Sequence, residues 1–162
     1  MGSQLEPVGQ GSFGTVYVTL SASSGPVVVK KMEVSDETRV HFEDEMACQV
    51  KLRNFGGHPN VLPCLKYFLD STTKQAALLM EAGIMDLSKL QRNLAYRIPA
   101  GSAARYASDI VHGLDYVHSC EIIHRDLKPS NIILCQSPFT NCALVAKIAD
   151  FGCSRLTACV SM

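Results

Sequence analysis

The chain has 162 residues, 47% hydrophobic and 19% charged, the balance of an ordinary globular protein. Fifteen basic residues offset fifteen acidic ones, so net charge argues for neither a nucleic-acid partner nor an anionic membrane. No apolar run approaches a membrane span and no leader pattern opens the chain, while Glu6 stands where myristoylation after Met1-Gly2 needs Ser or Thr.

In chain order, residues 5–20 carry glycines and then alternate, with Val16, Val18 and Leu20 on one strand face. "SASSGP" (21–26) predicts a turn, and "VVVKKM" (27–32) the second strand of the same hairpin. Residues 36–53 predict one charged helix, ended by Gly56, Gly57 and Pro59 in "NFGGHPN". "VLPCLKYFL" and "QAALLME" predict two more strands. From about residue 86 the pattern turns helical: Leu87, Leu90 and Leu94 recur at i, i+3 and i+7. Residues 102–118 predict a longer helix with Ser102 as N-cap and an apolar stripe of Ala107, Ile110, Val111, Leu114 and Val117. "NIIL" and "LVAKIA" predict short strands around the loop "CQSPFTNC". Strands first and helices later, with a joint near 81–86, imply an α+β fold in two lobes.

Seven cysteines with no C-x-x-C spacing argue against a zinc site or a disulfide framework and for reduced thiols. The expected location is therefore cytoplasmic or otherwise intracellular, nucleus included.

Gly9, Gly11 and Gly14 spell G-x-G-x-x-G, a spacing that lets backbone N–H groups approach a phosphate but that also suits a plain flexible hairpin. A P-loop needs Gly-Lys-Ser/Thr, whereas Gly14 is followed by Thr15-Val16. A dinucleotide fold finds an acid at the right distance in Glu33, but needs a helix where "TVYVTL" predicts a strand. What remains is a glycine loop closing a β-hairpin. Val28 and Lys30 share a face of the next strand, where a lysine can neutralise phosphate oxygens or simply sit at the surface, as Lys31 is expected to do.

Farther on, "HRDLKPSN" gathers His124, Arg125, Asp126, Lys128 and Asn131 within eight positions, and "DFG" follows at 150–152. With "VGQGSFGTVY" and "VVVKK" in the same order, the chain closely resembles the eukaryotic protein kinase family of Ser/Thr type from about residue 5 to 156. The resemblance implies a bilobal kinase fold: a complete N-lobe over 1–83 and a partial C-lobe over 84–162. It implies ATP-dependent transfer of the γ-phosphate to protein serine or threonine hydroxyls. Asp126 would orient the substrate hydroxyl and take its proton, Lys128 would steady the γ-phosphate, and Asn131 and Asp150 would hold Mg²⁺. Val8, Gly9, Gly11, Gly14, Val16, Val28, Lys30, Glu45, Met80, Glu81 and Gly83 would form the ATP site. In it Lys30 contacts the α- and β-phosphates, Met80 is the gatekeeper, and residues 81–83 are the hinge. The glutamate partner of Lys30 is expected to be Glu45, with Glu43 the alternative. Arg125 is expected to be scaffold that receives an activation-loop phosphate, and Ile122, Ile123, Ile132 and Ile133 to be core strands bracing the loop. A protein substrate and a partner or upstream kinase are the implied partners.

Three departures stand out. Val28 replaces the family's alanine and narrows the adenine pocket, and "CQSPFTNC" looks inserted. The chain also stops at Met162, before the family's Ala-Pro-Glu motif and later helices. These 162 residues alone are expected to fold poorly or be inactive, with Ser154, Thr157 and Ser161 as phosphate acceptors only in a longer form. The alternative is a non-catalytic nucleotide-binding or regulatory kinase-like module.

Overall fold

A computed structural model describes residues 6–11, 14–21, 25–70, 72–93, 97–137 and 143–157. The alternating stretches of the first half form an antiparallel sheet of β1 (Glu6–Gly11), β2 (Gly14–Ser21), β3 (Gly25–Glu33), β4 (Cys64–Asp70) and β5 (Gln75–Glu81), in the order β1-β2-β3-β5-β4. β3 is central, so Lys30 stands opposite Val16 on one side and Leu78 on the other. The first hairpin closes with Gly11 opposite Gly14, and Val8 falls at an irregularity between Pro7 and Gly9. At Gly14 the backbone has φ +154° and a Cβ would lie 2.2 Å from the Lys31 carbonyl oxygen, so only glycine lets the turn pass this close to β3. Ser12 and Phe13, at the tip, lie outside the described residues.

Between β3 and β4 runs α1 (Asp36–Asn54). Ser35 opens it with a reciprocal cap: its hydroxyl accepts from the Thr38 N–H at 3.2 Å, and its own N–H donates to the Thr38 hydroxyl at 2.7 Å. Phe42 and Met46 on its inner face pack with Met32, Val34, Ala76 and Leu78 to form the core beneath the sheet. The strand expected from Val61 begins only at Cys64. Val61 bridges to Ile148 and the Leu62 N–H donates to the Ile148 carbonyl at 2.8 Å, so both are committed to the other half of the molecule. Pro63 has no N–H to offer a ladder.

The second half contains β6 (Met85–Asp86), α2 (Leu87–Arg92), α3 (Ala100–Ser119), β7 (Ile122–Ile123), a 3-10 turn Pro129–Asn131, β8 (Ile132–Gln136), β9 (Leu144–Ile148) and β10 (Arg155–Leu156). β6-β8-β9 form one small sheet and β10-β7 another, giving an α+β architecture. Leu94, Pro138 to Cys142 of the expected insertion, Cys159 and Ser161 lie outside the described residues.

α3 departs from its expected start and stripe. It begins at Ala100, so Ser102 lies inside the first turn and the N-cap is Pro99, whose φ of −57° suits an entry to a helix. Tyr106, Gly113 and Val117 are buried, with Ile110 and Leu114 packed beside them, whereas Ala107 and Val111 face solvent. The true stripe is therefore rotated by about one residue from the expected one. It rests on β9, where Asp109 accepts the Ala146 N–H at 2.9 Å. The four isoleucines also divide. Ile122 and Ile132 are core, but Ile123 is 47% exposed because a two-residue strand turns alternate side chains outward. Among the described residues no helix is long and apolar enough to cross a membrane, and Cys48, Cys64, Cys120, Cys135 and Cys153 are free thiols.

Candidate active site

A cleft of about 650 Å³ opens between the five-stranded sheet and the β6-β8-β9 sheet. Val16, Val18, Val28 and Met80 line it from the sheet, and Leu62, Ile133 and Ala149 from its far side. The chain crosses from β5 to β6 at its edge, through Glu81 to Ile84. There the Ile84 N–H donates to the Leu134 carbonyl at 2.8 Å. A Cβ on Gly83 would come within 2.0 Å of the Ile133 side chain, so glycine permits the crossing segment to lie directly on β8. The Glu81 carboxylate turns toward β9 and accepts from Lys147 Nζ at 2.5 Å.

Lys30 enters this cleft from the central strand with 8% of its side chain exposed. Its Nζ lies 2.9 Å from Asp150 Oδ1 and 3.4 Å from Glu45 Oε2. Burial alone would depress the ammonium, but the Glu45 and Asp150 carboxylates outweigh it and hold the lysine above its ordinary value. Glu45 is pushed up by burial, with Lys30 pulling the other way. Of the two candidate glutamates the geometry selects Glu45: Glu43 lies on the exposed side of α1 and pairs with Arg39 at 2.8 Å.

Opposite Lys30 lies the segment 124–131. Asn131 Nδ2 donates to the Asp126 carbonyl at 2.8 Å and to its Oδ2 at 2.9 Å. Both partners are acceptors, so the amide nitrogen must face them, and the carbonyl Oδ1 is the end left for a ligand. Lys128 Nζ donates to Asp126 Oδ2 at 2.7 Å. That bond, with help from Asn131, holds the Asp126 carboxyl below its ordinary range, and the same bond raises Lys128. His124 is buried; its Nε2 lies 3.0 Å from the Ala149 carbonyl, and its Nδ1 3.3 Å from the Asp126 N–H. A carbonyl only accepts and an N–H only donates, so the ring is the neutral Nε2–H tautomer. Its edge meets the Phe151 ring at 5.0 Å between centroids. Arg125, with φ +63°, donates from Nε to the Cys153 carbonyl at 2.7 Å.

Asp150 also has φ +63°, a left-handed conformation sparsely populated outside glycine and tolerated by aspartate. The neighbouring Ala149 N–H is tied to the Asn131 carbonyl at 2.9 Å, and Phe151 is fully buried. The Asp150 carboxylate stays 35% exposed toward the cleft. Among the described residues no group of three or more His, Cys, Asp or Glu forms a metal cage. One carboxylate and one amide oxygen instead fit a hard cation that completes its shell with phosphate and water oxygens.

Of the expected site residues, Val16, Val28, Lys30, Glu45, Met80, Glu81, Gly83, Lys128, Asn131 and Asp150 line this one cleft, and Asp126 adjoins it through Asn131 and Lys128. Gly9 and Gly11 stand in β1 opposite Val16 and Gly14. Sequence reading missed Val18, Leu62, Ile84, Met85, Asp86, Lys89, Ser130, Ile133 and Ala149. For Val18 the signal was present, since it alternates with Val16. Asp86 is the N-cap of α2, its carboxylate accepting the Lys89 N–H at 2.9 Å, and its spacing before Leu87 could have marked it. Ser154 is 1% exposed, its hydroxyl 3.3 Å from the His124 carbonyl, so it is not an accessible phosphate acceptor.

Residues 3–160 match the protein kinase domain. An Aurora kinase from Eremothecium gossypii is 34% identical across 93% of this chain and 39% of its own length. A mitogen-activated protein kinase kinase 7 from Arabidopsis thaliana is 30% identical across 94% of this chain and 47% of its own. A CBL-interacting protein kinase 28 from Oryza sativa subsp. japonica is 30% identical across 92% and 32%. The chain thus spans about a third to a half of the length of these relatives. Protein kinase domains as a class use ATP and a divalent metal. With nearly every residue inside the match, and with Lys30, Asn131 and Asp150 of the family's motifs gathered at one cleft and Asp126 bonded beside it, the chain belongs to the protein kinase domain family.

Proposed function

We propose that the chain is the ATP-binding and catalytic portion of a protein serine/threonine kinase. The observation that carries this reading is the convergence of Lys30, Asp126, Lys128, Asn131 and Asp150 on one cleft with an apolar roof and floor. The apolar walls suit an adenine ring, and Lys30, kept charged by two carboxylates, suits the α- and β-phosphates. Asn131 and Asp150 would hold Mg²⁺, which supplies charge neutralisation on the phosphate oxygens when bound.

Asp126 is ionised at neutral pH and held in orientation by Asn131. It accepts a hydrogen bond from the substrate hydroxyl, aligns that oxygen, and takes the proton as the new oxygen–phosphorus bond forms and ADP leaves. Lys128 remains charged and neutralises the travelling phosphoryl group. Lys128, two residues after Asp126, also resembles the lysine of Ser/Thr kinases, which supports serine and threonine as the acceptors. The protein substrate and any partner kinase belong to the same proposal, and the free thiols accord with a cytoplasmic location.

Asp126→Asn tests the reading. Radiolabelled γ-phosphate transfer to a basic generic substrate is expected to fall by about 10² to 10⁴-fold while Mg-ATP affinity, measured by calorimetry, is unchanged. Mg-ATP binding with no transfer in either protein would support the regulatory-module alternative instead.

A further inference from the structure

We propose that the free edge of β4, over residues 66–70, is a pairing surface for a second copy of this chain, joined antiparallel about a two-fold axis at Phe68. β4 ends the five-stranded sheet and has β5 on one side only. Leu65, Tyr67 and Phe68 are exposed on it, Tyr67 by 52% and Phe68 by 62%. The opposite edge, β1, is blunted by Pro7, which has no N–H, and by the irregularity between Pro7 and Gly9. The usable part of β4 is bounded at both ends. At its start the Cys64 N–H donates to Gln49 Oε1 of α1 at 3.2 Å, and the register with β5 shifts between Cys64 and Lys66. At its end Asp70 Oδ1 accepts the N–H groups of Thr72 at 2.8 Å and Thr73 at 3.2 Å, which turns the chain toward β5. Between these limits lie Lys66, Tyr67, Phe68, Leu69 and Asp70, and Phe68 is their centre.

Charge selects the same centre. Side chains directly opposite in an antiparallel pair share a face of the sheet, so a two-fold axis passes through a residue and not between two. An axis at Lys66 sets two ammonium groups against each other. At Tyr67 it faces Lys66 with Phe68, and at Leu69 it faces Asp70 with Phe68. At Phe68 it places Lys66 opposite the partner's Asp70, and symmetry repeats the pair. Within one copy neither residue has an ion-pair partner among the described residues. The same register sets Phe68 against the partner's Phe68, and Tyr67 against the partner's Leu69 on the face that α1 covers. A lysine in an edge strand ordinarily repels an intruding strand. Here the aspartate four positions on makes it a mark of register instead. A pair of short strands buries less than the roughly 1,200–2,000 Å² of a stable interface, so the dimer is weak, with a Kd of about 10–100 µM. It closes at two copies because each uses its one open edge. None of the described residues lining the cleft belongs to β4, so pairing leaves the cleft open in both copies.

Sedimentation equilibrium of the chain, of Lys66→Glu, of Asp70→Asn and of the double variant tests this. Asparagine keeps an oxygen for the Thr72 and Thr73 N–H groups. Lys66→Glu sets like charges opposite each other twice and is expected to weaken the dimer by about five- to twenty-fold. Asp70→Asn is expected to weaken the parent dimer by about two- to five-fold but to strengthen the Lys66→Glu dimer, because it removes an attraction in one and a repulsion in the other. A merely structural role for Asp70 would not reverse sign. Deuterium exchange, compared at low and high protein concentration, is expected to show added protection confined to residues 65–70. A chain that stays monomeric up to about 1 mM, assembly that grows past a dimer, or a dimer indifferent to both substitutions overturns the proposal. So does an Asp70→Asn effect of the same direction in both backgrounds.

Discussion

His124 touches no reacting atom in the proposed chemistry, yet its two ring nitrogens join Asp126 to Ala149 and so hold the two aspartate-bearing segments together. Burial lowers its pKa from the ordinary value of about 6.5. A depressed folded-state pKa gives stability that is present above 6.5 and lost as pH falls through the folded value. Protonating Nδ1 would also turn the acceptor of the Asp126 N–H into a second donor. Thermal denaturation from pH 7.5 to 5 is therefore expected to show a falling Tm, with a flatter slope in His124→Gln. Glu45, whose pKa is raised by burial, acts with the opposite sign as pH falls, and the parent-minus-variant difference cancels it. An identical slope in both proteins would exclude His124. This role was only partly legible in the sequence. The residue types around Lys30, Asp126 and Asp150 announce phosphate chemistry because few other tasks need that set. The bridging by His124, and the choice of Glu45 over Glu43, depend on which way helix and loop faces turn.

At the scale of elements, α1 is held by polar fastenings as well as by the apolar side chains Phe42, Met46, Cys48 and Leu52 that it buries. Tyr116 of α3 makes two of them. Its hydroxyl donates to the Leu52 carbonyl at 2.5 Å and accepts the Gly57 N–H at 3.0 Å, capping the end of α1 from another helix. The ring also stacks on His58 at 5.2 Å. Tyr116→Phe keeps the stack and removes both bonds, while the Gly57 N–H still donates to the Leu52 carbonyl at 3.1 Å. It is expected to destabilise by about 0.5–1.5 kcal/mol in urea unfolding, with amide exchange rising at residues 50–57. A change below about 0.5 kcal/mol would mean that water replaces the hydroxyl. Strand and helix order was readable because period two and period 3.6 separate cleanly along this chain. The errors were at boundaries. Val61 and Leu62 read as strand because they are apolar, but long-range bonds to Ile148 claim them. Ser102 read as an N-cap because its chemistry fits, although the helix had already begun at Ala100.

For the whole molecule, the two halves meet through a shared apolar cluster and specific polar contacts, and the cleft exists only while they hold. Asn60 is the clearest staple: its side chain donates to the Ala146 carbonyl at 3.1 Å and its carbonyl accepts the Ile148 N–H at 2.8 Å. A ligand that touches both sides of such a cleft binds the assembled protein and not the open chain, so it must raise stability by mass action. Mg-ATP at about a hundred times its Kd is expected to add about 2.7 kcal/mol, or roughly 5–10 °C in Tm for a chain of this size. Asp150→Asn separates the contributions. The substitution removes one charge of the cation site and one of the two carboxylates beside Lys30. It is expected to keep a cooperative transition but lose most of the magnesium-dependent part of the shift, leaving the part that ATP produces with EDTA present. An equal Mg-ATP shift in parent and variant would show that the cation is held elsewhere. A parent with no cooperative transition would mean that staples such as Asn60 do not hold the halves together in these residues alone. The lysine side and the metal side of the cleft would then have to be assembled within a longer chain.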